Sequence, residues 1–274
     1  MFNQLRAEWY KLFHTRALLL TVALVAVVFV IYAAGGEQMF LTAGDLQSPA
    51  AGHTIGFISG VYADPAHPQA QEIIRTATSY TVFFWLIAMV FAVVFFSREY
   101  ASSTLKIAIA SGTGRLRFFL AKAVVILIVT LVLYLGFIWT AFFLECHSLK
   151  LPLASAQPGT MLRIAGENTL VLAAFLCTLL ALCVLVRHSA LVIALMTFYI
   201  FSGALLTMAS FDTMVTQSWR VRAYLYANPI YYWMHLCSGA PTPTLVRQTL
   251  VYGFVACALT LAVAMLRLRR QEIR

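Results

Sequence analysis

The stretch Ser79–Phe96, SYTVFFWLIAMVFAVVFF, contains eighteen consecutive residues without a charged side chain. As a helix it would be about 27 Å long, which is close to the about 30 Å of hydrocarbon that a membrane-spanning segment crosses. A helix also satisfies its own backbone hydrogen-bonding groups, for which lipid offers no partner. The stretch therefore predicts a helix that crosses a membrane.

Five other apolar stretches have the same character. Across the 274 residues, 62% of the side chains are hydrophobic and 11% are charged, whereas a soluble domain is about half apolar and about one quarter charged. We therefore predict an all-α polytopic membrane protein, with residues 1–274 forming a single domain of six transmembrane helices. The predicted spans are 17–34, 79–96, 119–143, 169–186, 189–210 and 249–266.

Basic residues are distributed unequally between the two sides of the membrane. Six spans place both termini and the connector 97–118 on one side, and that side holds 13 of the 19 Lys and Arg residues. Segments rich in Lys and Arg face the cytoplasm, so we predict that both termini and this connector are cytoplasmic. The net charge of +9 is then explained by orientation in the bilayer, and we expect no nucleic-acid partner.

Residues 1–16 have the pattern of an amphipathic helix. Leu5, Trp9 and Leu12 share one helical face, and Lys11 lies on the other. An early start of the first span would bury several charged residues at high cost. We therefore favour an interfacial helix that contacts membrane lipid, with these four residues as its anchors.

The connector 97–118 combines basic residues with an apolar helical face. Leu105 and Ile109 lie on that face, Ser102 or Ser103 can cap the start of a short helix, and Gly112 can end it. Taken alone, these residues fit two interpretations equally well. The helix either lies on lipid or docks its apolar face in a groove of another protein.

Three segments are predicted on the outer side, namely 35–78, 144–168 and 211–248. Residues 35–78 have the composition of a loop with one short helix. Residues 211–248 are rich in Tyr and Trp around Asn228-Pro229. That composition fits short helices at the outer interface or dipping into it, and it fits an ordinary aromatic belt equally well.

The sequence offers little catalytic or ion-coupling chemistry. The spans contain almost no ionisable residue, and Lys122 lies near enough to a span end to extend its amine to water. Ser111–Arg115, SGTGR, lacks the Gly-Lys-Ser/Thr ending of a phosphate loop. Cys146 and Cys237 are both predicted outside, where a disulfide is an open alternative. We expect no catalytic residue, no metal site and no nucleotide hydrolysis by this chain.

Two motifs resemble those of ABC type-2 exporter permeases. Arg98-Glu99-Tyr100-x-x-x-Thr104-Leu105-Lys106, followed by Gly112-x-Gly114-Arg115 and then Lys122, is similar to the coupling-helix region of that family. Ser103 stands where the family usually has glycine. Leu5-x-x-Glu8-x-x-Lys11-Leu12 resembles the family's elbow helix at the membrane surface. The six spans agree with this family, and the branch that looks closest includes lantibiotic-immunity and bacitracin-resistance permeases.

The resemblance implies a permease subunit of an ATP-driven exporter in the bacterial plasma membrane. Two ATPase subunits would bind ATP and Mg beneath it, and this chain itself would bind no cofactor. A second permease, identical or homologous, would complete a path for an amphipathic peptide, a lipid-like molecule or a drug-like molecule. A non-transporting scaffold or regulatory subunit is the alternative, and an intramembrane enzyme is a further one.

The resemblance also assigns roles to individual residues. Those expected to contact the ATPase are Glu99, Ser103, Thr104, Leu105, Lys106, Ile109, Arg115, Arg117, Arg187 and His188. The second and fifth spans would line the path, with Phe84, Met89, Phe198 and Ser202 as candidates.

Overall fold

The protein is a bundle of long helices with several short elements at its ends. The computed structural model describes residues 2–34, 38–44, 54–62, 64, 67–101, 114–153, 155–186, 188–210, 218–238 and 241–270. The long helices are α2 (Arg16–Ala34), α4 (Thr81–Ala101), α5 (Arg115–Ser148), α6 (Pro158–Val186), α7 (Ser189–Ala209) and α10 (Pro243–Arg270). The short elements are α1 (Phe2–Phe13), β1 (Gln38–Gly44), β2 (Thr54–Ser59), α3 (Ala70–Ser79), α8 (Trp219–Ala227) and α9 (Pro229–Leu236).

Six stretches of helix in the described part of the chain are long and apolar enough to cross a membrane, which confirms the predicted number. Three of the helices extend well beyond the predicted spans 119–143, 169–186 and 249–266, because their polar ends remain helical outside the apolar run. The 34 residues of α5 extend about 51 Å, against about 30 Å of hydrocarbon. The chain is therefore a multi-pass membrane protein whose helices continue beyond the bilayer core.

Helix α6 forms the centre of the bundle. It contacts α4, α5, α7, α9 and α10, and Leu172, Phe175 and Leu179 on it are fully buried. Helices α2 and α10 lie at the periphery and expose large apolar side chains such as Leu20 and Phe254. A bilayer gives these side chains an apolar surrounding, so their exposure fits a membrane protein and would be costly in water.

The segment 35–78 contains more regular structure than the sequence indicates. Helix α3 is the one short helix that was expected there. The remainder was expected to be a loop, but β1 and β2 pair as an antiparallel hairpin, from Gln38 opposite Ser59 to Gly44 opposite Thr54. The helical class of the fold is confirmed, with this two-stranded ribbon added to it.

The aromatic segment before the last span forms two short helices with different surroundings. Helix α9 is packed among α6, α7 and β2, and its Trp233 is fully buried. The Trp233 ring stacks on Trp85 of α4 with a centroid distance of 3.9 Å and an interplanar angle of 8°. In contrast, α8 exposes Trp219 and Tyr226. The aromatic side chains of α9 are therefore part of the protein core.

The turn between α8 and α9 is held by the buried side chain of Asn228. Its Oδ1 accepts a hydrogen bond from the Ile230 amide at 3.0 Å, which caps α9. Its Nδ2 donates to the Tyr199 carbonyl of α7 at 3.0 Å. Because Pro229 follows at the first helical position, where no backbone donor is needed, the Asn-Pro pair starts α9 against α7.

Candidate functional site

The predicted docking helix lies in a part of the chain that the structure does not describe. Ser103, Thr104, Leu105, Lys106 and Ile109 fall outside the described residues, and so does Arg187. Glu99 is in the last turn of α4 and Arg115 is the first residue of α5. The ATPase contact of all these residues stays a prediction.

Two further docking candidates are described and exposed. Arg117 lies in the first turn of α5. His188 precedes α7, and its Nδ1 accepts a hydrogen bond from the Leu191 amide at 3.4 Å. His188 therefore has a local role as the N-terminal cap of α7. The exposure of both side chains leaves them available for the predicted contact.

The predicted interfacial helix α1 is attached to the bundle through its apolar face. It contacts α5 and α2, with Leu12 fully buried and Leu5 and Trp9 partly buried. Leu12, which we expected to be a lipid anchor, is covered by protein. Lipid contact by Leu5, Trp9 and Lys11 stays a prediction.

A buried ionic cluster joins α1 to the start of α5. Glu8 and Lys122 are each only 2% exposed. The Lys11 amine lies 2.8 Å from Glu8 Oε1, and the Lys122 amine lies 3.9 Å from Glu8 Oε2. The Lys122 amine also lies 4.8 Å from the ring centroid of Phe95 and 5.8 Å from that of Phe118. We refer to Glu8, Lys11, Lys122, Phe95 and Phe118 as the basal cluster.

The basal cluster corrects the sequence-based expectation for Lys122. We expected its amine to reach water, but it is enclosed by α1, by Phe95 of α4 and by Phe118 of α5. The spacing of Glu8 and Lys11 predicts a helical ion pair. This local spacing does not indicate that Lys122, more than one hundred residues later, joins the pair. The cluster could therefore not be identified from local pattern alone.

The electrostatics of the cluster make α1, α4 and α5 a connected unit. A buried carboxylate or amine is costly unless it is paired. The two lysine amines both pair with the Glu8 carboxylate, and the Lys122 amine is stabilised further by the aromatic faces of Phe95 and Phe118. Movement of α5 relative to α1 would separate these charges in an apolar surrounding. The arrangement can therefore transmit a displacement between these helices.

A second polar cluster lies at the opposite end of α5. Tyr32 donates a hydrogen bond to Glu145 Oε2 at 2.7 Å, and Tyr62 donates one to Glu145 Oε1. Burial and the nearby Glu145 carboxylate raise the pKa of Tyr62 above its ordinary value, so this phenol remains a donor. The cluster ties α2 and the segment after β2 to α5.

The described residues contain no metal-binding arrangement. No three His, Cys, Asp or Glu side chains converge within the part of the chain that the structure covers. Cys146 and Cys237 are both free and buried. The Cys237 thiol instead lies 3.7 Å from the Thr78 carbonyl, so the structure does not join these two cysteines.

The four candidate path residues have different surroundings. Phe84 and Met89 are buried within this subunit, and the Phe84 ring contacts that of Tyr134 with a centroid distance of 5.4 Å. Phe198 of α7 is 73% exposed. Ser202 is half-buried, and its hydroxyl lies 2.6 Å from that of Tyr224. Lining of a transport path by these residues stays a prediction.

A comparison with protein families identifies the family of the chain. The family model described as ABC-2 family transporter protein matches residues 4–203. The chain belongs to the ABC-2 transporter family. The match includes the basal cluster and the undescribed segment of this ABC-2 protein between α4 and α5. No curated protein matches the chain.

Membership of the ABC-2 family defines the general role of this chain. Members are membrane components of ABC transporters, so the chain is a permease component, generally non-catalytic, and the family implies association with an ABC ATPase. The narrower likeness to lantibiotic-immunity and bacitracin-resistance permeases stays a hypothesis.

Proposed function

We propose that this ABC-2 protein is the permease subunit of an ATP-driven exporter in the bacterial plasma membrane. The basal cluster carries the proposal, because it connects the helices on both sides of the segment 102–113. Helix α4 ends at Ala101 and α5 begins at Arg115. A partner that pulled on this segment would act directly on two spans.

The coupling mechanism follows from helix rigidity and charge pairing. An ABC ATPase would hold the segment 102–113, and closure of two such ATPases on ATP and Mg would displace it. Because α5 is continuous over 34 residues, movement at Arg115 would reach the far end of the helix. The pair of Glu8 with Lys122 would make α1 move together with α5.

Export also requires a second permease subunit in this proposal. Helix α7 exposes an apolar face with Leu195, Phe198 and Leu205, and a second copy or a homologue of this chain would contribute the other side of the path. The cargo would be an amphipathic peptide, a lipid-like molecule or a drug-like molecule. Both termini would lie in the cytoplasm, on the side with most basic residues.

The test is co-purification of the ATPase from native membranes. The wild-type chain should retain an ABC ATPase, and Leu105→Asp should release it, because a charge would replace the apolar contact in the docking groove. Leu153→Asp is the matched control, since Leu153 is exposed in the turn between α5 and α6, at the opposite end of α5.

Two results would contradict the proposal. If the wild-type chain retains no ATPase, the scaffold alternative is favoured. If Leu105→Asp retains the ATPase as tightly as Leu153→Asp does, the docking role of the segment 102–113 is wrong.

A further inference from the structure

A cavity of about 840 Å³ lies along α10, which contributes most of its lining, and Tyr199 of α7 also lines it. Helix α6 contributes Thr178 to its lining, and α8 and α9 contribute Tyr226 and Tyr232. Its volume is within the range of about 300–1,000 Å³ that is typical of ligand pockets. The exposure of Val251 and Val255 of α10 opens the cavity toward the lipid-facing surface of the bundle.

The lining changes from charged to apolar along α10. Arg247 and Gln248 line the cavity near the start of the helix, and Val251, Val255 and Leu259 line it further along. At 1.5 Å per residue, Arg247 and Leu259 are about 18 Å apart along the axis. That distance is slightly more than half of the about 30 Å hydrocarbon core. A molecule with its polar end at Arg247 would extend its apolar part through one leaflet.

The positive charge at the polar end is available to a ligand. Arg247 is exposed, and its guanidinium makes no hydrogen bond or ion pair with the chain as far as the structure describes it. A guanidinium binds phosphate and carboxylate groups through paired N–H donors. An anionic group is therefore favoured at this end of the cavity, and a cationic group is repelled.

The walls of the cavity are pre-formed by hydrogen-bonded tyrosines. Tyr199 donates to the Ala227 carbonyl at 2.7 Å, and Tyr232 donates to the Tyr226 carbonyl at 2.9 Å. The Tyr232 ring stacks on Tyr252 with a centroid distance of 4.5 Å. Because the hydroxyls of Tyr199 and Tyr232 are already engaged by the protein, these residues offer mainly ring surface to a ligand. The walls therefore suit an apolar chain.

We propose that this cavity binds an amphiphile with an anionic head at Arg247 and a long apolar chain along Val251, Val255 and Leu259. The inference that such an amphiphile binds depends on the cavity alone. The further step, that such an amphiphile is cargo of the exporter, rests on the proposed function.

The binding test uses radiolabelled hexadecyl phosphate with the full chain in phosphatidylcholine nanodiscs, after subtraction of the counts on empty nanodiscs. Arg247→Gln should weaken binding by about tenfold, the value expected for loss of one charge-assisted hydrogen bond. Binding of hexadecyltrimethylammonium should not weaken in this variant. Arg222→Gln is the charge-matched control, because Arg222 is an exposed residue of α8 outside the lining.

A second pair of variants tests the apolar part of the cavity. Val255→Trp should fill the cavity and abolish binding of hexadecyl phosphate, whereas Phe254→Trp should not, because Phe254 is exposed on α10 outside the lining. Native mass spectrometry before addition of the probe shows whether the natural ligand of the cavity comes from the bilayer. An anionic lipid that is bound to wild type and absent from Val255→Trp comes from the bilayer, while an empty wild-type cavity that takes up the probe indicates a non-lipid amphiphile.

Three outcomes would overturn the proposal. Arg247→Gln and Arg222→Gln could weaken binding equally, which would show that binding depends only on the positive charge of the surface. Arg247→Gln and Val255→Trp could leave binding unchanged. Native mass spectrometry could show two wild-type copies bound to each other and single copies of Val255→Trp, with equal probe binding, which would assign this face to a second copy. No ATPase is needed in these assays, so they can fail or succeed independently of the co-purification test.

Discussion

At the scale of single residues, we expect the pairing of Glu8 with Lys122 to have a large effect on the stability of the protein. Both side chains are almost fully buried, and Oε2 of Glu8 has no hydrogen-bond partner in the described chain. The amine of Lys122, 3.9 Å away, supplies its compensating charge. Removal of one partner of a buried ion pair is more costly than removal of both, because a single change leaves a buried charge with less compensation.

We therefore expect Lys122→Met to destabilise the protein by about 1–3 kcal/mol, because Oε2 of Glu8 loses its charge partner while Lys11 still pairs with Oε1. The double variant Glu8→Gln/Lys122→Met should recover part of this loss, since both buried charges are then gone and the half-exposed Lys11 amine can reach water. The measurement is the thermal unfolding midpoint of both variants in detergent, with Glu8→Gln alone completing the cycle. Additive effects of the two substitutions would show that Glu8 and Lys122 are not coupled.

The residues around this pair are recognisable in the sequence, but their arrangement is not. Leu5, Glu8, Lys11 and Leu12 are recognisable as one motif, and Lys122 is recognisable as a lysine near a span end. Hydropathy describes how far a lysine lies from water along its own helix. It does not describe whether another helix covers it, and α1 covers Lys122. The burial of Lys122 therefore depends on tertiary contacts that a local pattern does not contain.

At the scale of elements, α7 and the α8–α9 turn approach closely at Gly203. A Cβ atom at this position would lie 2.3 Å from Nδ2 of Asn228 and 2.5 Å from its Cγ. Asn228 cannot move away without loss of its hydrogen bonds to Tyr199 and Ile230. The absence of a side chain at Gly203 thus permits α9 to enter the bundle.

We expect Gly203→Ala to destabilise the protein by about 1–3 kcal/mol, the range for an overpacked site. Gly136→Ala is the matched control, because Gly136 lies within α5 and a Cβ there meets no atom within 4 Å. Its higher helix propensity should stabilise the protein by about 0.5–1 kcal/mol. Thermal midpoints measured side by side should therefore shift in opposite directions, and a downward shift of equal size in both variants would contradict this account.

The short elements were harder to predict than the spans for a physical reason. A span is defined by the thickness of the bilayer, which any sufficiently long apolar run reveals. The β1–β2 hairpin depends on pairing between Gln38–Gly44 and Thr54–Ser59, and the burial of α9 depends on its contacts with α6 and α7. The aromatic composition of 211–248 fitted interfacial helices and an ordinary aromatic belt equally well, and it did not indicate that α9 is buried in the protein.

At the scale of the whole molecule, the orientation in the membrane determines which end the ATPase can reach. Arg117 is exposed near the start of α5, and Ser155 is exposed in the turn beyond its other end. The two positions are separated by the full length of α5. If the excess of basic residues marks the cytoplasm, Arg117 lies inside the cell and Ser155 lies outside.

We expect Ser155→Cys to react with a membrane-impermeant maleimide in intact cells, and Arg117→Cys to react only after the membrane is permeabilised. The wild-type background should be low, because Cys146, Cys177, Cys183 and Cys237 are buried and the partly exposed Cys257 lies within the α10 span. The reverse labelling pattern would place the segment 102–113 outside the cell, where no ATP-hydrolysing partner could reach it. Labelling at both positions in intact cells would instead indicate leaky membranes, which an impermeant dye added in parallel would reveal.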